Sequence, residues 1–123
     1  MPYHLRATPG LIEVDCYGTF TRDDFLALIS DVEATERALP VIPCRITTLA
    51  GVTAWQLTAG DFMAFAAQRK ATRFQNSFKS AVVAPEQVLV GIARMFQTLN
   101  DHPQIKVAIF PTREAASEWL EAE

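Results

Sequence analysis

Hydrophobic residues recur at every second position in three stretches of the chain. In LIEVDCYG (11–18), Ile12, Val14 and Cys16 point one way while Glu13 and Asp15 point the other. In VIPCRITTL (41–49), Ile42, Cys44 and Ile46 oppose Arg45 and Thr47. In IKVAIF (105–110), Ile105, Val107 and Ile109 oppose Lys106. These three read as strands with one apolar and one partly polar face. YHLRA (3–7) and the mostly apolar KSAVVA (79–84) read as two more, and TPG (8–10) reads as a hairpin turn between the first two strands.

Between the strands the period changes to that of a helix. Thr21 is an N-cap with Asp24 at the capping-box position, followed by Phe25, Leu28, Ile29 and Val32 on one stripe. Thr58 and Asp61 repeat the arrangement before a stripe of Phe62, Phe65 and Ala66. Pro85 suits the first turn of a third helix, in which Leu89, Ile92, Phe96 and Leu99 share a face. Thr112 caps the last helix, which Ala115, Ala116, Trp119 and Leu120 seat on the domain. Gly51 reads as a turn, and VTAWQLT (52–58) as the loop leading to the second helix.

The order is therefore ββαβαβαβα, an α/β fold with a mostly parallel five-stranded sheet. A parallel sheet covered on both faces reads apolar throughout. Here the strands are one-sided, so helices mainly on one face are expected, with right-handed crossovers placing them on the same side. The open face would then bring Glu13 and Asp15 near Arg45. Apolar Ala81, Val83 and Ala108 on or near it would tolerate a homodimer.

Composition narrows the function classes. With 123 residues, half of them hydrophobic and a fifth charged, one globular domain spanning 1–123 is expected, with a core that needs neither disulfide nor metal. The formal charge of −3 disfavours nucleic acid as a partner. The opening MPYHLRATPG has no apolar signal region, and no run approaches the ~18 apolar residues of a membrane span. A cytoplasmic location is expected.

Candidate chemistry is sparse. Cys16 and Cys44 lie inside apolar runs and read as buried thiols. His4 and His102 are far apart and lie in no catalytic motif, so no enzyme activity, metal or cofactor is expected. GTFT carries one glycine and makes no phosphate loop. Gly91, inside a helix, reads as a close-packing position. Arg69, Lys70, Arg73 and Lys79, interleaved with Phe74 and Phe78, form the one basic cluster. Such a cluster suits a solvated helix end, and its Arg69, Lys70 and Arg73 are the candidate contacts for an anion.

The element order resembles the SpoIIAA-like fold of STAS domains, the sulfate transporter and anti-sigma factor antagonist group. KSAVVAPEQVLVGIARMFQTL (79–99) and KVAIFPTREAASEWL (106–120) carry the resemblance, which extends over nearly the whole chain. It implies a small bacterial cytoplasmic protein whose relatives dock to protein partners; a distant branch of the fold binds lipids in an apolar pocket. In the antagonists a phosphorylated serine follows an aspartate at the corresponding strand end. ITTLAGVTAW (46–55) has no such pair, so the switch is not carried over.

These readings converge on a non-enzymatic domain that binds a protein, or itself, through the 47–65 region. Trp55 would be the anchor, Thr48 and Thr53 the rim, and Phe62, Met63 and Phe65 the apolar patch. The alternative is a carrier of a small apolar ligand or lipid, with the same aromatics as pocket wall and Arg69, Lys70 or Arg73 at a head group.

Overall fold

The computed structural model describes residues 2–84 and 87–122, without the side chains of residues 87–90, 96 and 99. The expected role of Pro85 and the side chains of Leu89, Phe96 and Leu99 lie outside the described residues. The order ββαβαβαβα is observed: β1 (Tyr3–Thr8), β2 (Leu11–Thr21), α1 (Arg22–Ala38), β3 (Cys44–Gln56), α2 (Ala59–Lys70), β4 (Phe78–Val83), α3 (Gln87–Leu99), β5 (Ile105–Phe110) and α4 (Arg113–Glu121). The strands lie side by side in sequence order. β1 and β2 form an antiparallel hairpin, and every later neighbour is parallel.

Local chemistry explains the helix starts. Thr21 accepts a hydrogen bond from the Asp24 N–H while the Asp24 carboxylate accepts one from the Thr21 N–H, and Thr58 with Asp61 repeats this capping box. Thr112 caps α4 through the Ala115 N–H. α1 stops at Ala38, two residues before Pro40, whose ring cannot continue a helix.

Register decides which residues share a face. Ile12 and Val14 of β2 lie beside Arg45 and Thr47 of β3. These lie beside Ser80 and Val82 of β4, and those beside Val107 and Ile109 of β5. On this face α1, α2 and α3 pack over a core that includes Phe20, Phe25, Leu28, Phe62, Phe65 and Ala93. Arg45 and Thr47 are thus buried beneath helices, not displayed on an open face with Glu13 and Asp15. Alternation along each strand was read correctly, but the relative phase of β2 and β3 is set by pairing, and pairing aligns Ile12 with Arg45.

The second face is also covered. Ile46, Ala81 and Val83 pack under Ala116 of α4, flanked by Leu11, Phe110, Trp119 and Leu120. The three crossover helices share one side, as right-handed crossovers require, whereas α4 follows the last strand and is free of that constraint. It lies on the far side and removes Ala81 and Val83 from any open dimer face. The β1–β2 half of that face remains polar: Arg6 bridges Glu13 and Asp15, both at 3.3 Å, and Arg113 from α4 also pairs with Glu13. Among the described residues, no helix is long and apolar enough to cross a membrane.

Candidate functional site

The segment expected to be a turn and loop is strand. Pairing with β4 ends at Thr48, yet β3 runs on to Gln56 alongside Tyr17–Thr21 of β2. β1 leaves β2 at Cys16. The far halves of β2 and β3 therefore form a two-stranded parallel ribbon extending past both neighbours. Asp15 pairs with Thr48 and Tyr17 with Gly51, so three steps of β3 match two of β2. A second shift follows between Gly18 and Thr19. Such bulges bend and twist a strand pair, and Gly18 takes a φ of 69° there. Gly51 is no turn residue. A Cβ at this position would lie 2.8 Å from the Tyr17 Cβ, so glycine lets the strands approach. The Val-Thr-Ala-Trp run that follows has the β-branched and aromatic content of a strand.

The ribbon's inner face holds an aromatic cluster. Trp55 is half-buried, stacked on Phe20 at 5.4 Å and on Phe62 at 5.5 Å, with Phe25 edge-on at 6.1 Å. Phe25 in turn meets Phe65 at 5.4 Å. Phe62 and Phe65 are buried core residues, so they supply no surface patch, although Phe65 reaches the cleft between α1 and α2. Trp55 is tied into that core and is not a projecting anchor. The residues of the expected surface that do reach solvent are Thr53 and Met63, the latter 68% exposed. Thr48 is half-buried beside Asp15 and Val83, and its Oγ1 has no hydrogen-bond partner among the described residues.

At the opposite end of β3 lies a buried charge network that sequence reasoning missed. Arg45 donates to Glu36 of α1 at 3.1 Å, to Asn100 after α3 at 2.6 Å and to Ser80 of β4 at 3.3 Å. Arg69 of α2 donates to the other Glu36 oxygen at 3.1 Å and lies 3.6 Å from Glu33. The guanidiniums also sit over rings, Arg45 over Phe78 at 5.6 Å and Arg69 over Phe74 at 5.0 Å. Burial pushes the Arg45 guanidinium down to about 10, with Glu36 opposing the shift. A signal was present. Phe25, Leu28, Val32 and Glu36 form one stripe, as do Phe62, Phe65 and Arg69, so charged residues occupy core positions of both helices.

The basic cluster is thereby split. Arg69 is internal and committed to Glu36, so it is unsuited to a surface anion. Lys70 is exposed 3.8 Å from Asp101, and Arg73 is exposed on the following loop. Lys79 lies on the α4 face, where its ammonium donates to the Trp119 carbonyl at 2.9 Å. Arg69 and Lys70 close the last turn of α2, where cations complement the helix dipole.

The remaining titratable groups have structural settings. Burial pushes the Cys16 thiol up to about 12, helped by Asp15, which leaves it protonated and unreactive. His102 accepts from the Gln104 N–H through Nδ1 at 3.0 Å and meets the Thr72 carbonyl through Nε2 at 2.6 Å, pinning the turn before β5. Tyr3 donates to Asp31, and burial with that bond raises its phenol. Among the described residues no three His, Cys, Asp or Glu side chains are grouped to hold a metal.

With this geometry in view, the chain can be set beside known proteins. No family model matches it, and no curated protein does. A solved structure from Shewanella loihica PV-4, an uncharacterized protein of the DUF3478 family with a SpoIIAA-like fold, superposes with a TM-score of 0.61. The match covers 96% of this chain and 91% of the other, at 11% sequence identity. The chain has the SpoIIAA-like fold that its element order suggests.

Proposed function

We propose that this chain is a non-enzymatic binding domain that receives a protein partner along the far half of β3. One observation carries the reading. From Ala50 to Gln56 the strand is paired only with β2 among the described residues, and Ala50, Gly51, Thr53, Ala54 and Gln56 are exposed. No charged residue and no proline occurs between Ile46 and Gly60. Free strand edges are ordinarily guarded by charge, proline or a covering element, because their unpaired N–H and C=O groups template further pairing. An unguarded edge suits an extended segment added as a new strand, whose main chain supplies most of the contact. A second copy of this chain would use the same edge.

The test uses wild-type chain and Thr53→Lys as parallel baits, with Lys106→Glu as a remote control. The expected result is a partner retained by wild type and Lys106→Glu and weakened at least tenfold by Thr53→Lys. Amides 50–56 should gain hydrogen-exchange protection in the complex. Protection confined to another surface would overturn the reading. Lipid carriage draws less support. The cavity under α1 measures about 40 Å³, room for about three water-sized groups and too little to enclose a lipid chain.

A further inference from the structure

A cleft of about 220 Å³ separates α1 from α2, with Leu26, Ile29 and Phe65 on its walls beside the polar Ser30, Glu33 and Arg37. Beneath it lies the cavity of about 40 Å³, and Ile29 and Arg69 line both. The inner cavity is apolar on the α1 side, through Phe25, Leu28 and Val32. Its floor carries Arg45, Thr47 and Asn100, each at least 95% buried. An apolar chamber with a few convergent buried polar groups is the usual form of a small-molecule site.

The charge inventory specifies what would enter. Two buried guanidiniums, Arg45 and Arg69, flank one buried carboxylate, Glu36. Glu33 approaches Arg69 at 3.6 Å. Arg45 shares its one carboxylate, Glu36, with Arg69. Three of its N–H groups are used by Glu36, Ser80 and Asn100, and a guanidinium has five. A volume of 40 Å³ holds about three water-sized groups at roughly 10–15 Å³ each, which is the size of a carboxylate.

We infer that the α1–α2 cleft is a binding site for a short-chain carboxylic acid, its carboxylate on Arg45 and Thr47 and its hydrocarbon body leading out past Ile29 toward Leu26 and Phe65. The buried cation selects the anionic head, and the chamber size excludes a full lipid. This site is separate from the β3 edge and stands whether or not that edge docks a partner.

The experiment is a titration of the ¹⁵N-labelled full chain with hexanoate, with 1-hexanol as the uncharged control. Hexanoate should shift the amides of Val14, Leu28 and Thr47 in a saturable way, and hexanol should bind at least tenfold more weakly. Thr47→Val, which keeps shape and removes the hydroxyl, should weaken hexanoate about three- to tenfold. Ile29→Trp, which plugs the passage, should abolish the shifts while the rest of the spectrum stays folded. No saturable shift at those amides in wild type would overturn the inference, because the chamber then holds only water. Equal binding of hexanol, or hexanoate binding unchanged in Thr47→Val and Ile29→Trp, would overturn it too.

Discussion

The two ends of β3 reverse the usual placement of polar and neutral residues. At its start, Arg45 is buried and held by side chains from α1, β4 and the end of α3. At its finish, an uncharged run lies exposed on a ribbon edge. One strand thus hides a charge and displays neutral backbone. Burial is decided by what the neighbouring elements bring to each position, not by the polarity of the residue placed there. The buried end is specified by several partners at once, so it should be rigid and intolerant of change. Among the described residues the exposed end pairs on one side only, and its outward Thr53 should tolerate substitution unless something binds it.

The largest expected effect tests the buried end. Glu36→Ala leaves two guanidiniums without their shared carboxylate, and breaking a buried pair from one side costs about 3–5 kcal/mol. Urea unfolding should read that loss; a change below about 1 kcal/mol would mean that water reaches the network. Next is Trp55→Ala, expected to cost about 2–3 kcal/mol because the indole is half-buried against Phe20 and Phe62. A near-zero cost would restore Trp55 as a surface anchor. Gly51→Ala follows at about 1–2 kcal/mol, since the new methyl must push Tyr17 aside and loosen the ribbon. Unchanged stability there would show that the two strands part easily.

A pH experiment gives a smaller effect at the start of α2. The Thr58 backbone N–H, aided by Arg22, holds the Asp61 carboxyl below its ordinary 3.8. A carboxylate whose folded pKa is depressed contributes stability above its unfolded pKa, and that contribution is lost as pH falls through the folded value. Asp61→Asn should therefore flatten the stability profile below about pH 4 and leave its neutral-pH slope unchanged. An unaltered acid limb would show that the capping box contributes nothing there. The smallest effect belongs to Thr53→Lys. As an exposed substitution it should leave stability within about 0.5 kcal/mol while still weakening edge docking at least tenfold. A larger loss would mean that the ribbon edge is already packed.

Much of the architecture was legible because it is local. Capping boxes at Thr21 and Thr58 act over three residues, and helical stripes such as Phe25, Leu28 and Val32 act over one or two turns. The order of elements follows from these, and right-handed crossovers then place α1, α2 and α3. The candidate surface was less legible. Thr48, Thr53, Trp55, Phe62, Met63 and Phe65 were grouped by sequence proximity. The fold divides them among the core, the α4 face and the solvent, leaving Thr53 and Met63 outward. Gly51 was read as a turn because glycine signals one in isolation; a strand beside it makes the missing side chain a packing requirement instead.

What the chain alone determined is the order of elements and the alternation or stripe within each, because these depend on neighbours a few residues away. Tertiary structure decided the rest. Only pairing could align Arg45 with Ile12 and so bury a charge, since a one-residue change in register exchanges the faces of a strand. Only packing could carry α4 to the second face, and only the juxtaposition of α1, α2 and α3 could bring Glu36 and Asn100 to Arg45 and Arg69 to Glu36. Those contacts join residues separated by 9 to 55 positions in the sequence, a range over which periodicity carries no information.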